Sequence, residues 1–313
     1  MILQDFIVST RAGLYCRYGD FYLDARQPAR IAIISHAHAD HAIPGNGQVF
    51  CTSATRAFMQ HRYGPMAAGS FSCRMYGEPF MIGKVRVTLL PAGHMLGSAM
   101  ILMEFEGIRY LYTGDFKTQE DATCERLEAV QADVLITEST FARKGLTHPQ
   151  PEAEIRRLSE TQHPILLGAY ALGKSQRLVH LLNTYCPEKR ILVHSGIAPF
   201  MKIYESFGKG PWKWEPYNTK IAKRGEKDIV YLVTPLSFKS YSFDLNFVRA
   251  FASGWEALQS KGGIKLFLSD HSDWQGIILL IKTVSPKEVW TLHGDGADLK
   301  EFFAGSLFVK ILE

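Results

Sequence analysis

The run His36–His41, of sequence HAHADH, constrains this chain more than any other feature of its sequence. It follows directly on the apolar run 30–35, which predicts a β-strand. Side chains alternate along an extended chain, so His36 and His38 point to the same side. Three imidazoles and a carboxylate this close together are costly to bury unless a cation neutralises them. Nitrogen ligands combined with a carboxylate oxygen suit zinc, with manganese as the alternative.

Three further candidate ligands, His94, Asp115 and His293, follow predicted strands farther along the chain, each beside a glycine. Two metal ions about 3.5–4 Å apart can clamp the attacking and leaving oxygens of an in-line displacement. The seven residues suffice for such a pair. We assign them as His36, His38 and His94 on one ion, Asp40, His41 and His293 on the other, and Asp115 between them.

Composition sets the class of protein around this motif. The 313 residues are 46% hydrophobic and 21% charged, which indicates a globular chain with a sizeable core and excludes disorder as the main state. No apolar run reaches the roughly 18 residues that a membrane helix needs. Residues 1–10 lack the basic segment of a signal peptide, so we expect a cytoplasmic protein. Five cysteines without a CxxC pair argue against both a disulfide framework and a thiolate zinc site, and we expect buried free thiols.

The pattern of predicted elements changes along the chain. The first 140 residues contain short strands separated by turns, whereas strands and helices alternate from residue 163. Such alternation predicts a parallel, doubly wound sheet in the middle of the chain. Helices are predicted at 52–61, 151–160, 175–185, 199–207 and 274–284.

The ordered set of HxHxDH followed by His, Asp and His resembles the metallo-β-lactamase superfamily. Two further segments, 135–141 (LITESTF) and 268–274 (LSDHSDW), resemble motifs of its β-CASP nuclease branch. The resemblance implies that Glu138 orients His271 and that His271 protonates the leaving oxygen. It also implies catalytic roles for Asp40 and Asp115.

The resemblance further implies an α/β fold, namely the αβ/βα four-layer sandwich of the superfamily with an inserted doubly wound α/β domain. The sandwich domain would comprise 1–141 and 264–313, and the β-CASP insert 142–263. Asp24 ends the predicted strand 20–24. We expect its carboxylate to accept a hydrogen bond from a ligand histidine or from nearby backbone, the alternative being a plain turn residue.

Residues 168–175, of sequence GAYALGKS, match the phosphate-loop pattern after a predicted strand and before a predicted helix. The residues between the two glycines are bulky for a phosphate cradle, and this disfavours nucleotide hydrolysis. Gly173, Lys174 and Ser175 are therefore candidates for holding a nucleic-acid phosphate, the alternative being a helix start that packs on the sheet. Residues 142–230 hold fifteen basic and eight acidic side chains, a net charge of +7 that favours an anionic partner.

These features predict a two-metal nuclease that hydrolyses phosphodiester bonds of single-stranded DNA or RNA, as an exonuclease in DNA repair or RNA processing. Five segments resemble the bacterial DNA ligase-associated exonucleases, which implies a functional association with a DNA ligase; they are 12–16, 37–41, 91–98, 169–174 and 270–274. One departure is Ala142, where relatives usually carry glycine. The same-fold alternative is a small-molecule ester or lactone hydrolase, which needs neither a basic insert nor a Glu138–His271 pair. The alternative from another class is a nucleic-acid-binding scaffold without metal ions. It would require that metal ligands had been lost, and none of the seven is missing here.

Overall fold

The computed structural model describes residues 1–222, 226–241, 247–260, 262–294 and 296–312. The chain divides into two compact units, a discontinuous unit of residues 1–147 and 271–313 and a continuous unit of residues 148–270. The domain limits expected from the sequence, with an insert at 142–263, stay a prediction. No helix of the described ranges is long and apolar enough to cross a bilayer.

The first sheet of the discontinuous unit has six strands that lie in sequence order. They are Ile7–Thr10 (β1), Gly13–Cys16 (β2), Phe21–Leu23 (β3), Ile31–Ile33 (β4), Asn46–Cys51 (β5) and Ala68–Cys73 (β6). The pairing is antiparallel from β1 to β3 and parallel from β3 to β6. Helix Ser53–Tyr63 (α1) and the 3-10 turn Gly64–Met66 connect β5 to β6. Thr52 caps α1, because its hydroxyl accepts the backbone N–H of Thr55.

The second sheet of this unit has seven strands and mixed pairing. They are Pro79–Ile82 (β7), Val85–Pro91 (β8), Ala99–Phe105 (β9), Ile108–Tyr112 (β10), Val134–Glu138 (β11), Glu288–Leu292 and Phe308–Ile311. The pairing is antiparallel from β7 to β10 and parallel from β10 onward. Helices Trp274–Val284 and Ala297–Phe302 precede the last two strands.

Both faces of the second sheet are buried. Tyr110 and Ile136 belong to a core that also contains Phe21 of the first sheet, so the two sheets pack on each other. Leu111 and Leu135, one residue away, belong to a core that contains helix Trp274–Val284. The period-two alternation of strand side chains accounts for this division.

The continuous unit is built on a six-stranded sheet. Its strands are Ile165–Gly168 (β12), Arg190–Val193 (β13), Glu215–Pro216 (β14), Ile229–Val233 (β15), Val248–Ala252 (β16) and Ile264–Leu266 (β17). Their order is β14-β13-β15-β12-β16-β17, and every pair is parallel, as the strand–helix alternation predicts. The helices are Pro151–Arg156 (α2), Lys174–Tyr185 (α3), Ala198–Ser206 (α4), Thr219–Ala222 (α5), Pro235–Ser240 (α6) and the 3-10 turn Glu256–Leu258. The predicted α/β class is confirmed.

Candidate metal centre

Four of the predicted ligands converge at one edge of the two packed sheets. Ligand atoms of His36, His38, His94 and Asp115 all lie within 4.8 Å of one another. His36 Nε2 and His94 Nε2 each lie 3.1 Å from His38 Nδ1. The same two nitrogens lie 3.5 and 3.8 Å from Asp115 Oδ2. The convergence follows from topology, because His36, His94 and Asp115 each follow the end of a strand, β4, β8 and β10 respectively.

The hydrogen bonds behind His36 fix which of its ring nitrogens carries the proton. The Ser35 hydroxyl donates to Asp24 Oδ2 at 2.6 Å, and His36 Nδ1 lies 3.0 Å from the same Ser35 oxygen. His36 Nδ1–H therefore donates to Ser35, and its Nε2 presents a lone pair to the cluster. Burial, reinforced by the neighbouring imidazoles, keeps the pKa of His36 well below its usual value. This neutral imidazole is the form that a metal ion binds.

The cluster fits a divalent cation. His38 Nδ1 can share at most one hydrogen, yet it faces the Nε2 atoms of both His36 and His94 at 3.1 Å. Lone pairs of several acceptors and the Asp115 carboxylate therefore meet in a buried space, an arrangement that is costly without a positive charge. Imidazole nitrogen and carboxylate oxygen are donors that divalent transition metals prefer.

His41 lies on the other side of Asp115. Its Nε2 is 3.4 Å from Asp115 Oδ1, whereas His36 and His94 approach Oδ2. Its Nδ1 is 2.8 Å from Asp24 Oδ2. Burial opposes the charged imidazolium, but Asp115 and Asp24 outweigh it and raise the pKa of His41 to about 10. Burial likewise disfavours the charge of Asp115, but His41 and the other imidazoles hold the pKa of that carboxyl well below its usual range.

A metal ion that binds His41 must therefore displace a proton. At pH 7 to 8, below the pKa of about 10, His41 is protonated in chelator-treated protein, whereas His36 is neutral. We expect binding through His41 to release about one proton from that residue, and His41→Gln to release about one fewer. Titration calorimetry with Zn²⁺ in two buffers of different ionisation enthalpy measures this release. Equal release by the wild type and His41→Gln would contradict the prediction.

Asp40 and His293 lie at the rim of the cluster. The Asp40 side chain is 78% exposed, with Oδ2 3.9 Å from His41 Nε2. His293 is exposed, and its ring centroid lies 5.4 Å from that of His41. Among the described residues, neither belongs to the set of ligand atoms within 4.8 Å of one another. Their role as ligands of a second ion stays a prediction.

Glu138 and His271 form a pair beside Asp115. His271 Nδ1 lies 2.8 Å from Glu138 Oε2, and His271 Nε2 lies 3.9 Å from Asp115 Oδ2. Glu138 ends β11 and is buried; it also accepts the Phe116 N–H at 2.9 Å and the Thr140 hydroxyl at 2.6 Å. Glu138 is thereby fixed, and its carboxylate sets the orientation of the His271 ring. The His271 side chain is 26% exposed, so a substrate can reach it.

Asp24 organises the histidines from behind. Its carboxylate accepts the backbone N–H and the hydroxyl of Ser35, the hydroxyl of Tyr112 at 2.9 Å, and His41 Nδ1–H. It orients His41 directly and His36 through Ser35. Neither Ser35 nor Tyr112 was predicted from the sequence. The position of Ser35, at the end of an apolar strand and next to His36, is the signal that points to it.

Loss of the Asp24 charge should weaken metal binding without removing a ligand. Groups that orient ligand histidines typically contribute about 10- to 100-fold in metal affinity. We expect a loss of this size for Asp24→Asn and a smaller one for Tyr112→Phe, which removes a single hydrogen bond. Competition with a chromophoric chelator measures both affinities. Equal affinity of Asp24→Asn and the wild type would contradict this role.

Lys117 is a second residue that the sequence did not single out. It is buried, and its Nζ donates to Asp121 Oδ2 at 2.6 Å and to the backbone carbonyl of His94 at 3.4 Å. Lysine side chains are rarely fully buried, so the sequence does not predict the burial of Lys117. The pair supports the loop that carries His94.

The candidate phosphate-binding residues make hydrogen bonds and an ion pair within the continuous unit. Lys174 is buried, and its Nζ donates to the Leu268 carbonyl at 2.8 Å and lies 3.2 Å from Asp270 Oδ2. The Ser175 hydroxyl and N–H both donate to the Tyr170 carbonyl, and the Gly173 N–H donates to the Gln176 side chain. The groups offered for a phosphate are thus bonded within the unit. These contacts suit the alternative, a helix start that packs on the sheet, and the phosphate-binding role of Gly173, Lys174 and Ser175 stays a prediction.

Comparison with known proteins adds relatives by sequence. No family model matches the chain. It is 30% identical over 307 residues to a probable DNA ligase of Opitutus terrae, covering 90% of this chain and 28% of that protein. It is 32% identical over 196 residues to endoribonuclease ysh-1 of Neurospora crassa, and the alignment covers 50% of this chain and 23% of that protein. Cleavage and polyadenylation specificity factor 73 of Drosophila melanogaster is 30% identical over 195 residues, and that alignment covers 50% of this chain and 28% of the relative. The chain spans less than a third of each of these relatives.

A solved structure from Enterococcus faecalis V583, described as a protein of unknown function, shares the fold. It aligns with a TM-score of 0.61 at 13% identity over 90% of this chain and 79% of that one. The sequence relatives, together with the histidine-rich turn, confirm the predicted resemblance to the β-CASP nuclease branch of the metallo-β-lactamase superfamily.

Proposed function

We propose that the chain is a metal-dependent nuclease that hydrolyses phosphodiester bonds of RNA or single-stranded DNA in the cytoplasm. The observation that carries this proposal is the Glu138–His271 pair, whose imidazole lies 3.9 Å from Asp115 of the metal cluster. A buried carboxylate that orients an exposed histidine beside a cation site suits protonation of a leaving oxygen. The relatives named as endoribonucleases, a cleavage factor and a DNA ligase support nucleic acid as the substrate.

The proposal includes the αβ/βα four-layer sandwich of the superfamily with a β-CASP insert, and zinc as the metal. His36, His38, His94 and Asp115 would hold one ion, and His41, Asp40 and His293 would hold a second that shares Asp115. Nitrogens bound to tetrahedral zinc stand about 3.3 Å apart. The separations of 3.1 to 3.8 Å within the cluster support this assignment. When bound, the ions supply neutralisation of phosphoryl charge and orientation of the substrate.

The residues of the chain itself supply the proton transfer. Glu138 accepts Nδ1–H of His271, and this interaction stabilises the imidazolium and directs Nε2 toward the Asp115 side. A departing oxygen within hydrogen-bond reach of Nε2 takes that proton as the phosphorus–oxygen bond breaks. The Phe116 N–H and the Thr140 hydroxyl hold Glu138 in place during this transfer.

The proposed nuclease could cut from the end of a strand or within it, and different observations favour each mode. The resemblance to ligase-associated exonucleases favours removal of nucleotides from an end, in DNA repair or RNA processing. The relatives named as endoribonucleases favour cuts within an RNA strand. The match to 28% of a protein named as a DNA ligase supports a functional association with such an enzyme.

One assay tests the activity, substrate and mode together. Metal-reconstituted protein is incubated with linear and with covalently closed single-stranded DNA and RNA, and Asp115→Asn serves as the blank. Mononucleotides from linear strands, with circles intact, would support the exonuclease. Cut circles would establish an endonuclease and overturn the exonuclease. Intact strands from protein with both metals bound, together with turnover of a lactone, would overturn the nuclease in favour of the small-molecule hydrolase.

A further inference from the structure

Cys51 and Cys73 are adjacent thiols at the ends of two paired strands. They are Cα partners in the parallel pairing of β5 and β6, so their side chains leave the sheet on the same face. Neighbouring strands lie about 4.8 Å apart, within the Cα separations of about 4.4–6.8 Å that disulfides require. Both cysteines are free, and their thiols are hydrogen-bonded to each other. The backbone therefore already holds them at bonding separation.

The two thiols differ in exposure and in charge. Cys51 is fully buried, whereas Cys73 is partly exposed. The hydrogen bond from Cys51, assisted by Arg56 and Ser53 of α1, lowers the pKa of Cys73 to about 6. The same hydrogen bond and burial raise the pKa of Cys51 well above its usual value. At neutral pH, Cys73 is thus an accessible thiolate and Cys51 a thiol, and the Arg56 cation opposes binding of a metal ion between them.

We propose that Cys51 and Cys73 form a hydroperoxide-sensitive dithiol whose oxidation to a disulfide weakens the metal centre. The Cys73 sulfur attacks one oxygen of the hydroperoxide, the O–O bond breaks, and the other oxygen leaves as an alcohol or water after gaining a proton. The Cys51 sulfur then attacks Cys73, the sulfur–oxygen bond breaks, and water leaves with the Cys51 proton. The two thiols supply the two electrons that reduce the peroxide. The effect on the metal centre rests on the proposed function.

A short chain of contacts links the dithiol to His94. Thr52 follows Cys51, and its hydroxyl donates to the Gly97 carbonyl at 2.7 Å, as does that of Thr55 at 3.1 Å. Gly97 lies in the same turn as His94, whose N–H donates to the Ser98 hydroxyl. A sulfur–sulfur bond of about 2.05 Å is shorter than a hydrogen bond between thiols and fixes the dihedral angle about it. Forming this bond therefore turns the Cys51 side chain and shifts the adjacent Thr52.

The chemical step is tested by peptide mapping, which needs no enzymatic activity. Metal-loaded protein is treated with hydrogen peroxide, alkylated and digested. We expect a Cys51–Cys73 disulfide that dithiothreitol reverses, while the buried Cys16 and Cys186 stay alkylatable after denaturation and serve as internal controls. Cys51→Ser should accumulate a dimedone-reactive sulfenic acid at Cys73, and Cys73→Ser should leave Cys51 unmodified. Arg56→Gln should slow the reaction severalfold at pH 7, because less thiolate is present.

The coupling is tested by metal release into a chromophoric chelator during the same treatment. We expect faster release from the wild type than from Cys73→Ser, and reversal by dithiothreitol followed by added Zn²⁺. Disulfide formation with equal release from both proteins would overturn the coupling. Oxidation of Cys73 no faster than that of Cys16 would overturn the dithiol. If the protein binds no metal, the proposed metal-dependent function is wrong. The peptide map still shows whether the Cys51–Cys73 disulfide forms.

Discussion

Asp115→Asn is expected to lose both the metal and the activity. Asp115 is the one carboxylate that approaches His36, His41, His94 and His271, at 3.4 to 3.9 Å, among the described residues. An amide of the same shape keeps the packing but removes the negative charge that offsets bound cations. We expect metal affinity to fall by more than about 100-fold, beyond the effect of a residue that merely orients a ligand. Cleavage should fall by at least about 10³-fold, since the ions organise the reaction.

Metal content by mass spectrometry and single-turnover cleavage measure the two losses for Asp115→Asn. Asp5→Asn is a matched control, because Asp5 is a half-buried carboxylate of the same unit that pairs with Arg17. We expect this control to keep full metal content and rate. Wild-type metal content in Asp115→Asn would remove Asp115 from the ligand set. A wild-type rate after metal loss would overturn the metal-dependent mechanism.

Asp115→Asn also tests the charge balance in the metal-free protein. Asp115 is the largest favourable influence on the charge of His41, so its replacement should lower the pKa of His41. Less proton release should then accompany any residual metal binding near pH 8. Calorimetry in two buffers detects this change, which a purely steric effect of the substitution would not produce.

The elements that follow local patterns could be predicted from the sequence. The helix predicted at 175–185 is observed at Lys174–Tyr185, and the one at 274–284 at Trp274–Val284. Both have an apolar face, and Asp273 caps the second helix by accepting the Gly276 N–H. The helix predicted at 151–160 ends at Arg156, with turns over the residues that follow. Its start was readable from Pro151, but its end lacks a comparable signal.

Long-range contacts could not be predicted, because they depend on packing between distant segments. The hydrogen bond between Tyr112 and Asp24 joins residues 88 positions apart, and no local pattern encodes it. The pairing of Cys51 with Cys73 requires the β5–β6 register, which depends on the length of the intervening connection. Lys174 matches a phosphate-loop pattern by sequence, yet Asp270, brought near by folding, accepts its charge.

The histidine motif at 36–41 could be predicted because it is local in sequence. Alternation along an extended chain predicts that His36 and His38 point to the same side, and their ring nitrogens lie 3.1 Å apart in the structure. Glu138 and His271 were connected by resemblance to a family, and the structure brings their side chains to 2.8 Å. The exposed positions of Asp40 and His293 follow from the turn geometry, which the spacing of residues does not specify.

His271→Ala is expected to slow cleavage while the metal is retained. Its Nε2 lies 3.9 Å from Asp115, farther than that of His36, His41 or His94, and the ring is oriented by Glu138. General acid catalysis contributes about 10²- to 10⁴-fold, and we expect a loss of that size on RNA or DNA.

Substrates with different leaving groups distinguish a general-acid role of His271 from a structural role. The p-nitrophenolate of a p-nitrophenyl phosphodiester leaves without being protonated. His271→Ala should therefore cleave this substrate at close to the wild-type rate. His61→Ala, at an exposed histidine of α1, is the matched control and should resemble the wild type on both substrates. Equal losses on both substrates would assign His271 to substrate or metal binding. Loss of metal from His271→Ala would make it a ligand, which its position with Asp115 and Glu138 within 4.8 Å also permits. Glu138→Gln should then decide between the two roles, because a neutral amide in place of the carboxylate weakens proton donation and leaves a direct His271–metal bond in place.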